Sequence, residues 1–76
     1  MEEEEKLKEI GKIFKKARLE AGLTQAELAA KIDKDQQSIQ RFEKGRINPT
    51  LIYLLEVSEG LDQNLSSLLE EFDHNK

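Results

Sequence analysis

Apolar side chains recur along this chain at three- and four-residue intervals, in five stretches separated by short polar breaks. That spacing is helical, so the pattern predicts an all-α fold of five helices. The first helix is expected from about Glu3 to Ala21. Leu7, Ile10, Ile13, Phe14, Ala17 and Ala21 share one face, and Lys8, Lys12, Lys15 and Lys16 lie on the other. Early Glu and later Lys suit the helix dipole, and Gly22 is the expected stop. Thr24-Gln25-Ala26-Glu27 forms a capping box for a short second helix ending at Asp33, with Leu28, Ala29 and Ile32 as its buried stripe.

Asp35 is the expected N-cap of a third helix, Gln36 to Lys44, which Gly45 terminates. Pro49 holds Asn48 out of helical conformation. Thr50 caps a fourth helix, Leu51 to about Glu59, whose inner face is read as Leu51, Leu54, Leu55 and Ser58, with Gly60 as its stop. Asn64 is expected to cap a fifth, on which Leu65, Leu68, Leu69 and Phe72 align. Residues 1–9 form an acidic N-terminal extension of the first helix, residues 10–72 the domain proper, and residues 73–76 a frayed tail.

Seventy-six residues make one thin-cored domain. Sharing core through dimerisation is therefore attractive on stability grounds. Cysteine is absent, which excludes disulfides, thiolate metal sites and a cysteine nucleophile. No apolar run approaches the roughly 18 residues of a membrane span. The acidic start Met1-Glu2-Glu3-Glu4-Glu5 is unlike a secretory signal. The cytoplasm, on the nucleoid, is the expected location. The net charge of −4 argues against a nucleic-acid binder until its distribution is considered. Residues 6–46 carry eleven basic against six acidic side chains, and both ends of the chain are acidic. A positive face on an acidic chain is compatible with DNA.

The third helix carries the chemistry. On a wheel of 100° per residue, Ser38, Ile39, Phe42 and Glu43 fall together. Gln36, Gln37, Gln40, Arg41 and Lys44 fill the opposite arc, which holds no acid and no apolar group. Gln can make a bidentate pair with adenine, and Arg with guanine, in the major groove. Taken alone, such an arc equally serves to solvate a helix. A short helix preceding it across a tight turn makes the pair a helix-turn-helix.

The run Arg18-x-x-x-Gly22-Leu23-Thr24-Gln25-x-Glu27-Leu28-Ala29, then Ser38-Ile39-x-x-Phe42-Glu43-x-Gly45-x-x-Asn48-Pro49-Thr50-Leu51, resembles the Cro/repressor-type helix-turn-helix family, with the fold of lambdoid phage repressors. The resemblance covers residues 10 to 69. It implies a five-helix domain that regulates transcription, with base contacts from Gln36, Gln37 and Arg41 and a further one from Gln40. It implies phosphate contacts at Thr24 and Gln25, where a helix N-terminus offers free N–H groups, and at Lys44, Arg46 and Asn48. The family often has Gly in the turn where this chain has Asp33, a residue that tolerates left-handed backbone.

Arg18 sits within the apolar arc of the first helix and needs a paired acid. Glu43, on the inner face of the third, is the expected partner, and the resemblance implies the same structural pair. Nothing points to an enzyme: the single His, His74, lies in the tail, and no nucleophile–base pair, metal-ligand spacing or cofactor-binding loop is present. Ile52 and Tyr53 are read as pointing away from the core, and with Leu65 and Phe72 they are the candidate dimer residues. The resemblance implies a homodimer through the last two helices, with recognition helices about 34 Å apart on double-stranded DNA. The competing reading is a protein-interaction module, including an antitoxin whose partner is a toxin. A restriction–modification controller and a contact with RNA polymerase through the acidic ends also remain open. No second domain for sensing a ligand is expected.

Overall fold

The computed structural model describes residues 2–72, and all of its regular structure is helical. The helices are α1 (Glu3–Glu20), α2 (Gln25–Lys31), α3 (Gln36–Glu43), α4 (Leu51–Gly60) and α5 (Leu65–Leu69). The tail expected to fray, with His74, lies outside the described residues. α1 runs under α3 and α5, and α2 packs between α3 and α4. The core at their junction is built from Ile13, Phe14 and Ala17 of α1, Leu28 and Ala29 of α2, Ile39 and Phe42 of α3, and Val57 of α4. Leu61 and Leu68 close it on the α5 side.

One backbone device ends four of the helices. A residue in the left-handed region follows each: Gly22 (φ 74°), Asp33 (φ 57°), Gly45 (φ 73°) and Asp62 (φ 57°). The next amide then reaches back to a carbonyl five residues earlier, as Leu23 N–H does to Arg18 O (3.1 Å) and Arg46 N–H to Arg41 O (2.9 Å). Lys34 to Ala29 (2.8 Å) and Gln63 to Ser58 (3.0 Å) repeat it. α2 therefore ends at Lys31, two residues before the expected Asp33, and Asp33 supplies the turn. Both aspartates serve because a short polar side chain tolerates this conformation better than a branched one.

Gly60 was expected to stop α4, but it lies inside the helix and the stop is at Asp62. Gly60 is small for another reason. A Cβ there would stand 2.5 Å from Ile32 Cγ2 and 2.9 Å from Leu28 Cδ1, so α2 packs directly on it. The inner face of α4 is also rotated from the expected one. Tyr53, Leu54, Val57, Ser58 and Gly60 turn inward, while Leu51 and Leu55 are exposed. Leu51-Ile52-Tyr53-Leu54-Leu55 is apolar on all sides, so its periodicity does not select a face. Asn64 occupies the N-cap position of α5 but makes no side-chain capping bond.

Candidate nucleic-acid interface

α2 and α3 form the helix-turn-helix, and each has a side-chain cap. Thr24 Oγ1 accepts from Glu27 N–H (3.0 Å), and Glu27 Oε1 accepts from Thr24 N–H (2.8 Å). Asp35 Oδ1 accepts from Ser38 N–H (2.7 Å) and so begins α3. From that start Ile39 and Phe42 point into the core, both at 2% exposure or less. Phe42 lies edge-on between the rings of Phe14 (5.1 Å) and Tyr53 (5.2 Å). The helix cannot rotate without emptying those positions. Gln36, Gln37, Gln40, Arg41 and Lys44 are consequently all exposed on its outer side.

Two of these side chains touch one another. Arg41 Nη2 donates to Gln37 Oε1 (3.3 Å), one turn earlier. Gln37, Gln40 and Arg41 line a shallow depression together with Lys44 and Arg46. Asn48 is exposed in the loop after α3, and Thr24 is exposed at the start of α2. Gln25 is only half exposed, and its Nε2 donates to Glu43 Oε1 (3.0 Å).

A buried polar network locks α3 to α1. Arg18 Nε donates to Glu43 Oε2 (2.6 Å) and Nη2 to Glu43 Oε1 (3.0 Å), a two-pronged pair with both side chains at most 7% exposed. The remaining guanidinium nitrogen, Nη1, donates to Leu23 O (2.7 Å). Arg18 thus spans the end of α1, the turn before α2 and the end of α3. No buried side-chain nitrogen or oxygen among the described residues lacks a partner. Gly11 makes this approach feasible and had no reading in the sequence. A Cβ there would collide with the Glu43 carbonyl oxygen and stand 2.7 Å from that of Phe42.

Tyr53 was expected to point outward and does not. Its ring packs on Phe42, and its hydroxyl is hydrogen-bonded to Ser38 Oγ (2.8 Å). Lys34 Nζ lies 5.7 Å over the same ring and pairs with Glu56 (2.8 Å). Leu65 and Phe72, the other inward departures from the expected dimer set, are half-buried against the core. Ile52 does project to solvent, at 64% exposure, and its neighbours are Leu51 (64%) and Leu55 (40%).

Burial raises the Tyr53 phenol above its ordinary value of 10.0, opposed by the Ser38 hydrogen bond and by Lys34. The Glu56 hydrogen bond raises Lys34 as well. Both folded groups hold their protons more tightly than the unfolded chain does. Their contribution is complete below pH 10 and is lost as the pH rises through the raised values. Tyr53→Phe should cost about 1 kcal/mol at neutral pH through the lost hydrogen bond. It should also make the alkaline decline in stability shallower, which urea midpoints from pH 8 to 11 would reveal.

A helix-turn-helix on a five-helix scaffold, with an exposed polar face on its second helix, defines a class of DNA-binding regulator. The chain belongs to the helix-turn-helix family, whose model matches residues 14–68. It is 43% identical over 52 residues to an uncharacterized HTH-type transcriptional regulator, y4dJ, of Sinorhizobium fredii, a match covering 68% of each chain. Its fold is similar to that of the restriction–modification controller protein C.AhdI of Aeromonas hydrophila. That match has a TM-score of 0.79 and 27% identity, over 82% of this chain and 94% of that one. An HTH_3 family transcriptional regulator of Vibrio cholerae has the same fold at a TM-score of 0.85 and 20% identity. This match covers 93% of the present chain and 40% of the Vibrio one. No helix among the described residues is long and apolar enough to cross a membrane.

Proposed function

We propose that this regulator reads a specific sequence of double-stranded DNA by laying α3 in the major groove. One observation carries the reading: α3 exposes Gln36, Gln37, Gln40 and Arg41 together, with no acid or apolar group among them. Arg41 selects guanine, and the glutamines favour half-sites containing A·T pairs. Thr24, Gln25, Lys44, Arg46 and Asn48 hold the phosphates and set the register. For Gln25 the contact uses the second side-chain N–H, which is not committed to Glu43.

The same reading makes the working unit a homodimer on a pseudo-palindromic operator, acting on nucleoid DNA in the cytoplasm. Leu51, Ile52 and Leu55 form a contiguous apolar ledge on α4, which supports a dimer contact there. In this set Leu51 and Leu55 replace Tyr53, while Leu65 and Phe72 contribute only their exposed edges. A second reading, control of restriction–modification genes, is favoured by the similarity to a controller protein along 94% of that protein.

Selection of bound sequences from a randomised duplex pool tests the reading. A pseudo-palindrome with half-sites about one helical turn apart is the expected product. Gln37→Ala should relax the preference at one position and cost about 1–3 kcal/mol on the best site. Arg46→Ala should weaken all sequences alike. No enrichment by the folded protein would overturn specific reading. An operator beside restriction–modification genes would support the second reading, and a co-purifying toxin would favour an antitoxin instead.

A further inference from the structure

We propose that Lys8 and Lys12, on the early turns of α1, form a further DNA-phosphate site that extends the contact surface beyond the recognition helix and its following loop. The inference rests on the DNA-binding reading and adds a site to it. Lys44 and Arg46 also line the depression beside α3. A second, larger groove of about 790 Å³ shares those two side chains and is also lined by Lys8 and Lys12. The four cations therefore border one groove, and two of them also border the depression lined by the base-reading side chains.

The groove is closely packed at Gly45. Gly45, at φ 73°, lies so close to α1 that a Cβ would stand 2.7 Å from the Lys8 backbone nitrogen. The early turns of α1 are thus pressed against the loop that carries Arg46. Lys8 and Lys12 are one helical turn apart and exposed. Neither takes part in an ion pair among the described residues, whereas Lys16, Lys31 and Lys34 each have an acidic partner. Unpaired cations in a groove adjoining a base-reading face favour a polyanion as the occupant.

Glu3 and Glu4 line the same groove and oppose that attraction. Glu43 also borders it, but its charge is matched by Arg18. The acidic turn therefore sets the strength of this site by repelling the same phosphates, with no change in which bases are read.

The test compares the wild-type protein with three variants on its selected operator and on random duplex DNA, across a salt series. The variants are Lys8→Gln/Lys12→Gln, Glu3→Gln/Glu4→Gln and Lys31→Gln. The lysine pair should weaken both duplexes by the same factor and lower the salt slope by about two units, at about 0.9 per phosphate contact. The glutamate pair should tighten both duplexes. Lys31→Gln, whose partner is Asp62, should leave the slope unchanged. An unchanged slope for the lysine pair, with normal wild-type binding, would overturn this site and leave the DNA reading intact. An equal fall for Lys31→Gln would reveal a general charge effect and overturn it too. If the folded wild type binds neither duplex, both readings fall together.

Discussion

Glu43→Ala should destabilise the domain by about 3–5 kcal/mol, the cost of leaving a buried charge without its partner. Arg18 is at most 7% exposed, and two of its three nitrogen donors go to Glu43. Without the carboxylate those donors face a cavity, and water reaching them must disturb the contact between α1 and α3. Small domains have a total stability near the low end of about 5–15 kcal/mol, so the variant should be largely unfolded in mild urea. Glu43→Gln retains an acceptor and should lose less. Replacing both partners, as Arg18→Met with Glu43→Leu, should recover much of the stability, because no charge is then stranded. Urea midpoints for the four proteins check this. A midpoint for Glu43→Ala equal to that of the wild type would remove the pair from the account of stability. The pair also anchors Gln25, so the double variant should fold yet hold the start of α2 less well.

The second large effect concerns the apolar ledge of α4. Ile52→Asp places a charge in the middle of Leu51, Ile52 and Leu55, side chains that make no essential core contact. The monomer should keep its fold, since Val57 and Ser58 on the opposite face are unchanged. If the ledge joins two copies, the variant should sediment as a monomer. Its affinity for a two-half-site operator should fall by about 10²–10⁴-fold, because the second half-site no longer adds its contacts at high effective concentration. Affinity for an isolated half-site should hardly change. A variant that remains dimeric would move the interface elsewhere, toward α5 and the exposed edges of Leu65 and Phe72.

Much of this molecule was legible in the chain because local chemistry decides it. Thr24, Asp35 and Thr50 each cap the helix that follows, since a side-chain oxygen one residue before a helix satisfies an amide that has no other partner. Gly22 and Gly45 end helices because glycine, with no Cβ, adopts positive φ at no steric cost. The outward arc of α3 follows from the period of Ile39 and Phe42, and the pairing of Arg18 with Glu43 from the cost of burying either alone. The helix-turn-helix family is written in the same residues.

Other features were settled only by packing between segments distant in sequence. The buried face of α4 was undetermined locally, because five consecutive apolar residues satisfy any face. It was decided by Tyr53 meeting Phe42 and Ser38, and by the bare backbone of Gly60 meeting Ile32 and Leu28. Gly60 has the composition of a helix stop but is a contact point, and Asp62 has no obvious turn signature but makes the turn. Gly11 is inconspicuous in α1 until the middle of α1 and the end of α3 are brought within van der Waals distance. The joining of Lys8 and Lys12 to Arg46 likewise needs the loop after α3 folded back on α1. Caps, turns and helix periods involve groups a few residues apart, whose energies depend on local backbone alone. The choice of face and the path of charge depend on which helices touch, and only the tertiary structure decides that.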